Sequence, residues 1–360
     1  MRTRASTFSA ARDRAIDSRG SKIGTMGIFP PPASSAPHLR RFLSLFGIVL
    51  LLPGCATFVR EVKEELIRVE SATSPSDITI TLQDSFITTY RNRVTIGAMF
   101  AVDRADRVPH PAYLDGDFHV AGRASNIGLP IIAEIKNAAF EADALNLIRK
   151  AAVTGTPVRL SGAWRLWMEH VGRNKEVQGE AIAPQGLTDP DHVFEIHPVT
   201  LVDDLSLRES LRPVAGYRPE EAEDVFKSFE KIGCRIVRED RTTKIVTRKR
   251  LYNDVEFLLG ILEEPQQVVE DGRFVNAAVF DLKGNLLAHK VRMVFVKDTP
   301  PDRIVRHLRP GNRLHVFGLP RINLAQIALR AGYSRNHPES LSLPLPYEII
   351  IAGVYEDPDR

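Results

Sequence analysis

From Ile78 the chain carries short β-branched runs, "ITITL", "RVTIGAMFAV", "DFHVAGRA" and "LPIIAEI", with Gly, Pro and Asp between them. Residues two apart on a strand share a face, so this alternation predicts half-buried strands joined by tight turns. At Glu141 the period lengthens. Ala144, Leu145, Ile148, Ala151 and Ala152 fall on one helical face, which predicts a helix of about three turns ending near Ala152. "VRLSGAWRLWMEH" and "HVFEIHPVTLV" return to the strand period, separated by a polar loop from Arg173 to Pro190. From Val94 the predicted order is three strands, a helix and two strands.

A polar break runs from Asp203 to Arg218. After it, Ala222, Val225, Phe226, Phe229 and Ile232 form one stripe between Pro219 and Lys231, with Gly233 as a stop, which predicts a linker helix. Arg235 to Arg250 alternates and holds seven Lys or Arg against two acids, a basic hairpin. Its ordinary role is a solvated ribbon; the sharper one is contact with anionic headgroups or a polyanionic partner.

The second half repeats the first. "VEFLLGILEE", "FVNAAVF" and "LLAHKVRMVFV" are strands, with Lys283-Gly284-Asn285 as a turn. Thr299 can cap a helix that opens at Pro300, Pro310-Gly311 stops it, and "NRLHVFGLPRI" and "YEIIIAGVYED" supply two last strands. Gly162 aligns with Gly318 and Glu195-Ile196 with Glu348-Ile349, at offsets of 156 and 153 residues. Five strands with a helix between the third and fourth is the element order of an OB-fold barrel, and "LRPGNRLHVFG" resembles the stretch leading into the fourth strand of single-strand-binding OB domains. The resemblance covers about Val94–Val202 and Val255–Tyr355. The expected fold is mainly β: tandem OB-fold-like barrels over 78–204 and 251–360, joined by a helical linker and hairpin over 205–250. A β-sandwich is the competing β architecture.

The start of the chain has a different character. Arg40 and Arg41 precede an apolar run from Phe42 to Leu52, which Pro53-Gly54 interrupts before Cys55. Such a run is too short for the roughly 20 residues of a membrane-spanning helix and suits a secretory signal. Leu52-Pro53-Gly54-Cys55 resembles the lipobox of bacterial lipoproteins, with Pro53 where Ala, Ser or Thr is commoner. The resemblance implies a leader over 1–54, with Met26 as an alternative start, and a Cys55 that receives diacylglycerol and acyl chains, palmitate among them. It also implies a periplasmic chain tethered to the cell envelope, Ala56 after the cysteine going with outer-membrane sorting. Residues 55–77 then form the anchor, with a short amphipathic helix from Phe58 to Glu70.

Taking away the leader changes the charge. Residues 1–55 hold eight of the 48 basic and two of the 45 acidic residues, so 40 and 43 remain, a net of −3. A mildly acidic body lacks the footprint of a general nucleic-acid binder. The expected partners are the membrane through the anchor and an envelope protein or glycan. With Cys55 acylated, Cys234 alone remains and no intrachain disulfide forms.

The first repeat concentrates the candidate chemistry. Asp115, Asp117, His119 and Arg123 lie on or before one strand, Trp164, Trp167, Glu169 and His170 on another, and Glu195 and His197 on the last. Together they can present imidazoles and carboxylates on one barrel surface, with an indole as a stacking platform for a polar ligand. Each is equally at home as an ordinary neighbour on a sheet face. No His-x-x-x-His or Cys-x-x-Cys spacing is present, so neither a metal nor a cofactor is expected.

"DGDFHV" with Arg123 is similar to the Asp-Gly-Asp-Thr segment and downstream arginine of staphylococcal-nuclease-like enzymes, matching Asp115 and Asp117. Phe118 replaces the threonine, and both acids of the family's second motif are missing near Ile127-Gly128-Leu129-Pro130. The resemblance therefore implies a degenerate phosphodiester hydrolase as the alternative to a binding or assembly module. No phosphate loop, nucleophile elbow or kinase signature is present, and an enzyme is not expected.

Overall fold

A computed structural model describes residues 77–249, 252–263, 266–334 and 342–355. Cys55, the apolar run before it, Met26 and the helix expected over Phe58–Glu70 lie outside the described residues. No described helix is long and apolar enough to cross a membrane.

The chain opens with β1 (Asp77–Gln83) and α1 (Asp84–Tyr90), then enters a first barrel through β2 (Thr95–Ala105), β3 (Phe118–Arg123) and β4 (Ile131–Ile135). Helix α2 (Ala142–Thr154) leads to β5 (Val158–Leu166). A loop with β6 (Lys175–Val177) leads on to β7 (Phe194–Val202), followed by the short β8 (Leu205–Ser206). Strand β2 pairs with both β3 and β5, β5 with β7, and β7 with β4 in parallel, while β3 pairs with β4. These pairings close a five-stranded barrel, with α2 between its third and fourth strands. Ile96, Ala98 and Phe100 of β2, Phe118 and Val120 of β3, and Ile131, Ala133 and Ile135 of β4 point into the core.

The linker passes through β9 (Glu220–Glu221) and α3 (Ala222–Glu230) to the hairpin of β10 (Gly233–Glu239) and β11 (Thr242–Arg248). The second barrel holds β12 (Val255–Ile261), β13 (Gln267–Val269), β14 (Gly272–Phe280) and β15 (Leu286–Val296). After these come α4 (Pro300–Val305), β16 (Arg313–Ile322), α5 (Leu324–Ser334), β17 (Leu343–Pro344) and β18 (Tyr347–Val354). Strand β12 pairs with β14 and β16, β14 with β15, β15 with β18 in parallel, and β18 with β16. The same closed order results, and α4 occupies the position of α2. The Thr299 hydroxyl accepts from the Asp302 amide at 3.5 Å, with Pro at the first helical positions. The fold is therefore mainly β, two closed five-stranded barrels of OB type.

The "ITITL" run leaves the barrel. Strand β1 pairs along its whole length with β11, so the N-terminal strand and the basic hairpin share a separate sheet with β6 and β17. Helix α5 had no predicted counterpart.

Gly162 and Gly318 occupy equivalent bulges where the fourth strand of each barrel meets the fifth. A Cβ on Gly162 would sit 2.3 Å from the Pro198 carbonyl oxygen, and one on Gly318 2.5 Å from the Ile349 side chain at Cγ2, so a backbone approach at the first and a packed side chain at the second leave no room for a Cβ.

The barrels meet through reciprocal arginines. Arg165 Nε donates to the Pro320 carbonyl at 3.0 Å, and Arg321 Nη1 donates to the Trp164 carbonyl at 2.9 Å, each reaching the residue before the other. Arg165 pairs with Glu195 and Arg321 with Glu348, the two glutamates that the repeat aligned. Arg321 further reaches the carbonyls of Val94 and Arg93 and stacks 3.6 Å from the Trp164 ring centroid. Burial, with Arg292 sharing Glu348, pushes its guanidinium down to about 10, still charged at neutral pH. An apolar seam of Val94, Ala163, Leu211, Phe274, Val294 and Phe317 surrounds the clasp.

Candidate functional site

Three charged pairs stand on strand faces that turn away from the core of barrel 1. In "IIAEIK", Glu134 and Lys136 alternate with Ala133 and Ile135, which point inward. Asp117, just before β3, and His119 on it are two apart and face the same side, His119 opposite Glu134 in register. On β7, Glu195 and His197 do likewise, Glu195 opposite Arg165 of β5 and Ile132 of β4.

Ordinarily such a face would be wet. Here the linker and barrel 2 lie over it: Lys136 Nζ sits 4.7 Å from the Phe317 ring centroid and 5.8 Å from that of Tyr217. Asp117, Glu134, Lys136, Arg165, Glu195, His197 and Asp254 are all at most 6 % exposed. Buried charges survive only when paired. Lys136 Nζ donates to Asp117 Oδ2 at 3.1 Å and lies 3.5 Å from Asp254 Oδ2. His197 Nδ1 lies 3.1 Å from Glu134 Oε2 and 3.2 Å from Glu195 Oε2, and its Nε2 lies 3.4 Å from Asp117 Oδ2. Arg165 Nη1 grips both oxygens of Glu195 at 2.5 and 2.6 Å, and its Nη2 donates to Glu169 at 3.2 Å. His192 Nε2 closes on Glu195 Oε1 at 3.3 Å.

The protonation states follow from these neighbours. Burial alone drives the His197 imidazole down, but Glu134, Asp117 and Glu195 more than reverse this and hold it up at about 10. Burial raises Asp117 and Glu195, yet Lys136 and His197 bring the first below its ordinary value, and Arg165, with His192 and His197, brings the second well below. Glu134 goes the other way, raised by burial and by the charges of Glu195 and Asp117 despite His197 and His119. Glu169 is pushed up to about 7 by burial, against the pull of Arg165. The result is a network of Lys136, Arg165 and His197 cations set among Asp117, Glu195 and Asp254. Asp117 Oδ1, His197 Nε2 and Asp254 Oδ1 have no hydrogen-bond partner.

The predicted residues thus divide. Asp117, Glu169, Glu195 and His197 converge in one network, and His119 approaches Glu134 at 3.7 Å. Asp115 turns to His110 at 3.0 Å, and His170 stacks on His192 with centroids 4.8 Å apart. Arg123 leaves the group and forks onto Asp103. The indoles correct the stacking-platform expectation. Trp164 and Trp167 are 0 % and 1 % exposed, and their Nε1 groups donate to the carbonyls of Arg93 and Tyr252 at 2.8 and 3.0 Å. A base or sugar cannot reach either ring.

Sequence reasoning missed Glu134, Lys136, Arg165, His192 and Asp254. The charged pair two apart inside an apolar strand run, and an arginine between tryptophans and leucine, were signals of a buried polar face. Asp254 carried no local signal, because only the fold brings it to Lys136.

No family model matches the chain, and no curated protein matches it. Among solved structures it is similar to the single-stranded DNA binding protein from Thermus aquaticus, at 9 % identity over 73 % of this chain and 91 % of that one, with a TM-score of 0.19. It is also similar to the Ifi202 HINa domain in complex with 20 bp dsDNA, at 8 % identity over 71 % and 90 %, with a TM-score of 0.16. The barrel assignment rests instead on strand order and closure in the chain itself.

Proposed function

We propose that the chain is a binding or assembly module, tethered to a bacterial envelope membrane through acylated Cys55 and facing the periplasm. The observation that supports it is the fate of the surface that OB barrels ordinarily offer to oligonucleotides, the outer face of their second and third strands. In barrel 1 that face carries the buried Asp117, Glu134 and Lys136, and in barrel 2 it carries Phe274, Val294 and Val296 of the inter-barrel seam. The first face meets Asp254 and Phe317 of barrel 2 through Lys136, and the second lies in the seam itself.

What barrel 1 leaves exposed is a rim. Val108, Tyr113 and Leu114 in the β2–β3 loop are 70 %, 71 % and 52 % exposed, and Phe140, on a segment joined to that loop by the Ala138 amide donating to the Gly116 carbonyl, is 78 % exposed. Apolar groups gathered on adjoining loops suit an envelope protein partner. The nuclease-like reading gains no support, since Asp115 and Asp117 turn to different partners and Asp117 is locked on Lys136.

The test is crosslinking in cells followed by partner identification, alongside detergent-phase partitioning of wild type and Cys55→Ser. Loss of partitioning in Cys55→Ser, with a crosslinked partner lost on Tyr113→Ser/Phe140→Ser, is the expected result. Unchanged partitioning refutes the tether, and a partner retained by the double variant refutes the rim.

A further inference from the structure

We propose that Asp106, His110 and His119 form a binding site for a first-row divalent cation of the zinc type, with Asp115 as the positioning carboxylate behind His110. One ligand atom from each of the three lies within 4.8 Å of the other two. His110 Nε2 is 3.5 Å from Asp106 Oδ2, close to the roughly 3.3–3.5 Å that separates two ligands of a tetrahedral zinc ion bound at about 2.0–2.1 Å. The His110 and His119 rings stand edge to face with centroids 4.5 Å apart.

The support behind these donors is of the kind metal sites use. His110 Nδ1 lies 3.0 Å from Asp115 Oδ1 and 3.3 Å from Oδ2, so a proton donated there leaves the Nε2 lone pair aimed at Asp106. In that tautomer two acceptors face each other at 3.5 Å, a gap that a bound cation would bridge. Asp106 is held in place by the His119 amide, which donates to its Oδ2 at 2.7 Å. No Lys or Arg among the described residues forms an ion pair with Asp106 or Asp115, whose ion pairs are with His110 alone. The His110 side chain is 31 % exposed, which leaves a route from solvent that the buried network lacks. Two imidazoles and one carboxylate favour zinc-type ions over magnesium or calcium, which take oxygen ligands. The sequence conceals the site because its spacing, Asp-x3-His-x8-His, becomes a cluster only when the β2–β3 loop folds back on β3.

The site is independent of the membrane tether. The experiment is isothermal titration of the tag-free full chain with zinc ion in a non-chelating buffer, with cobalt ion as a spectroscopic probe. Expected are saturable binding at one ion per chain, loss of at least 100-fold in affinity for His110→Ala and Asp106→Asn, and a 10- to 100-fold loss for Asp115→Asn. His170→Ala, which removes a half-exposed imidazole outside the site, leaves the affinity unchanged. The melting temperature rises with zinc in wild type and stays fixed in His110→Ala. Metal-free circular dichroism verifies folding, and Asp115→Asn, which preserves shape, serves if His110→Ala unfolds. Absence of saturable binding to the folded chain overturns the proposal. So does a folded His110→Ala or Asp115→Asn that binds as tightly as wild type.

Discussion

Replacing Lys136 by methionine tests whether the network between the barrels holds them together. The substitution keeps the length of the side chain and its packing against Phe317, and removes only the charge 3.1 Å from Asp117 and 3.5 Å from Asp254. At an effective dielectric of about 20, each of those attractions is worth about 5 kcal/mol before desolvation. Removing one member of a buried pair costs about 3–5 kcal/mol net, because the remaining carboxylates keep their desolvation penalty. Urea unfolding followed by the fluorescence of the two buried indoles should therefore show a loss in that range. The matched control is Arg159→Met, whose partner Asp204 is 95 % exposed and whose loss should stay below about 1 kcal/mol. The acid limb adds a second readout. Asp117 is held below its ordinary value, so its contribution is present at neutral pH and is lost as pH falls through the folded value. Without Lys136 that limb moves to higher pH. A Lys136→Met variant that loses no more than Arg159→Met, with an unmoved acid limb, would refute the argument.

Further outcomes follow from the same geometry. Arg321→Met removes hydrogen bonds to the carbonyls of Val94, Trp164 and Arg93 and should cost about 2–4 kcal/mol. It should also split thermal unfolding into two steps by calorimetry, whereas Arg313→Met, on the exposed outer surface, should leave a single step. His197→Asn removes a group whose folded pKa is raised to about 10, so wild type should lose stability as pH rises from about 6.5 through 10 and the variant should lack that alkaline fall. Glu169 is raised to about 7, so its protonated form stabilises the fold; stability should decline from about pH 4.5 to 7, and Glu169→Gln should flatten that interval in pH-dependent urea titrations.

The repeat was legible because local rules agree with the global fold. Strand period, the helix between third and fourth strands and the Thr299 cap follow from short-range chemistry, and the recurrence of Gly162 as Gly318 marks the same cross-strand approach in each half; together they specify two closed barrels. Helix α5 escaped because Asn323 to Ser334 lies in what reads as the loop before the last strand, and the capture of β1 by β11 escaped because their pairing spans some 160 residues.

The candidate chemistry divides along the same line. Sequence alone determined which strand positions share a face, and so grouped Asp117 with His119 and Glu195 with His197. It also showed the short apolar run and Cys55 that carry the proposed tether. Whether those faces meet solvent or protein was decided by the docking of the barrels, a long-range event with no local signature. That docking set Phe317 and Asp254 over Lys136 and Arg321 against Trp164, while the linker set Tyr217 over Lys136 and Phe229 against Trp167. By excluding water, it turned a polar sheet surface into an ionic lock whose charges must pair or shift their protonation.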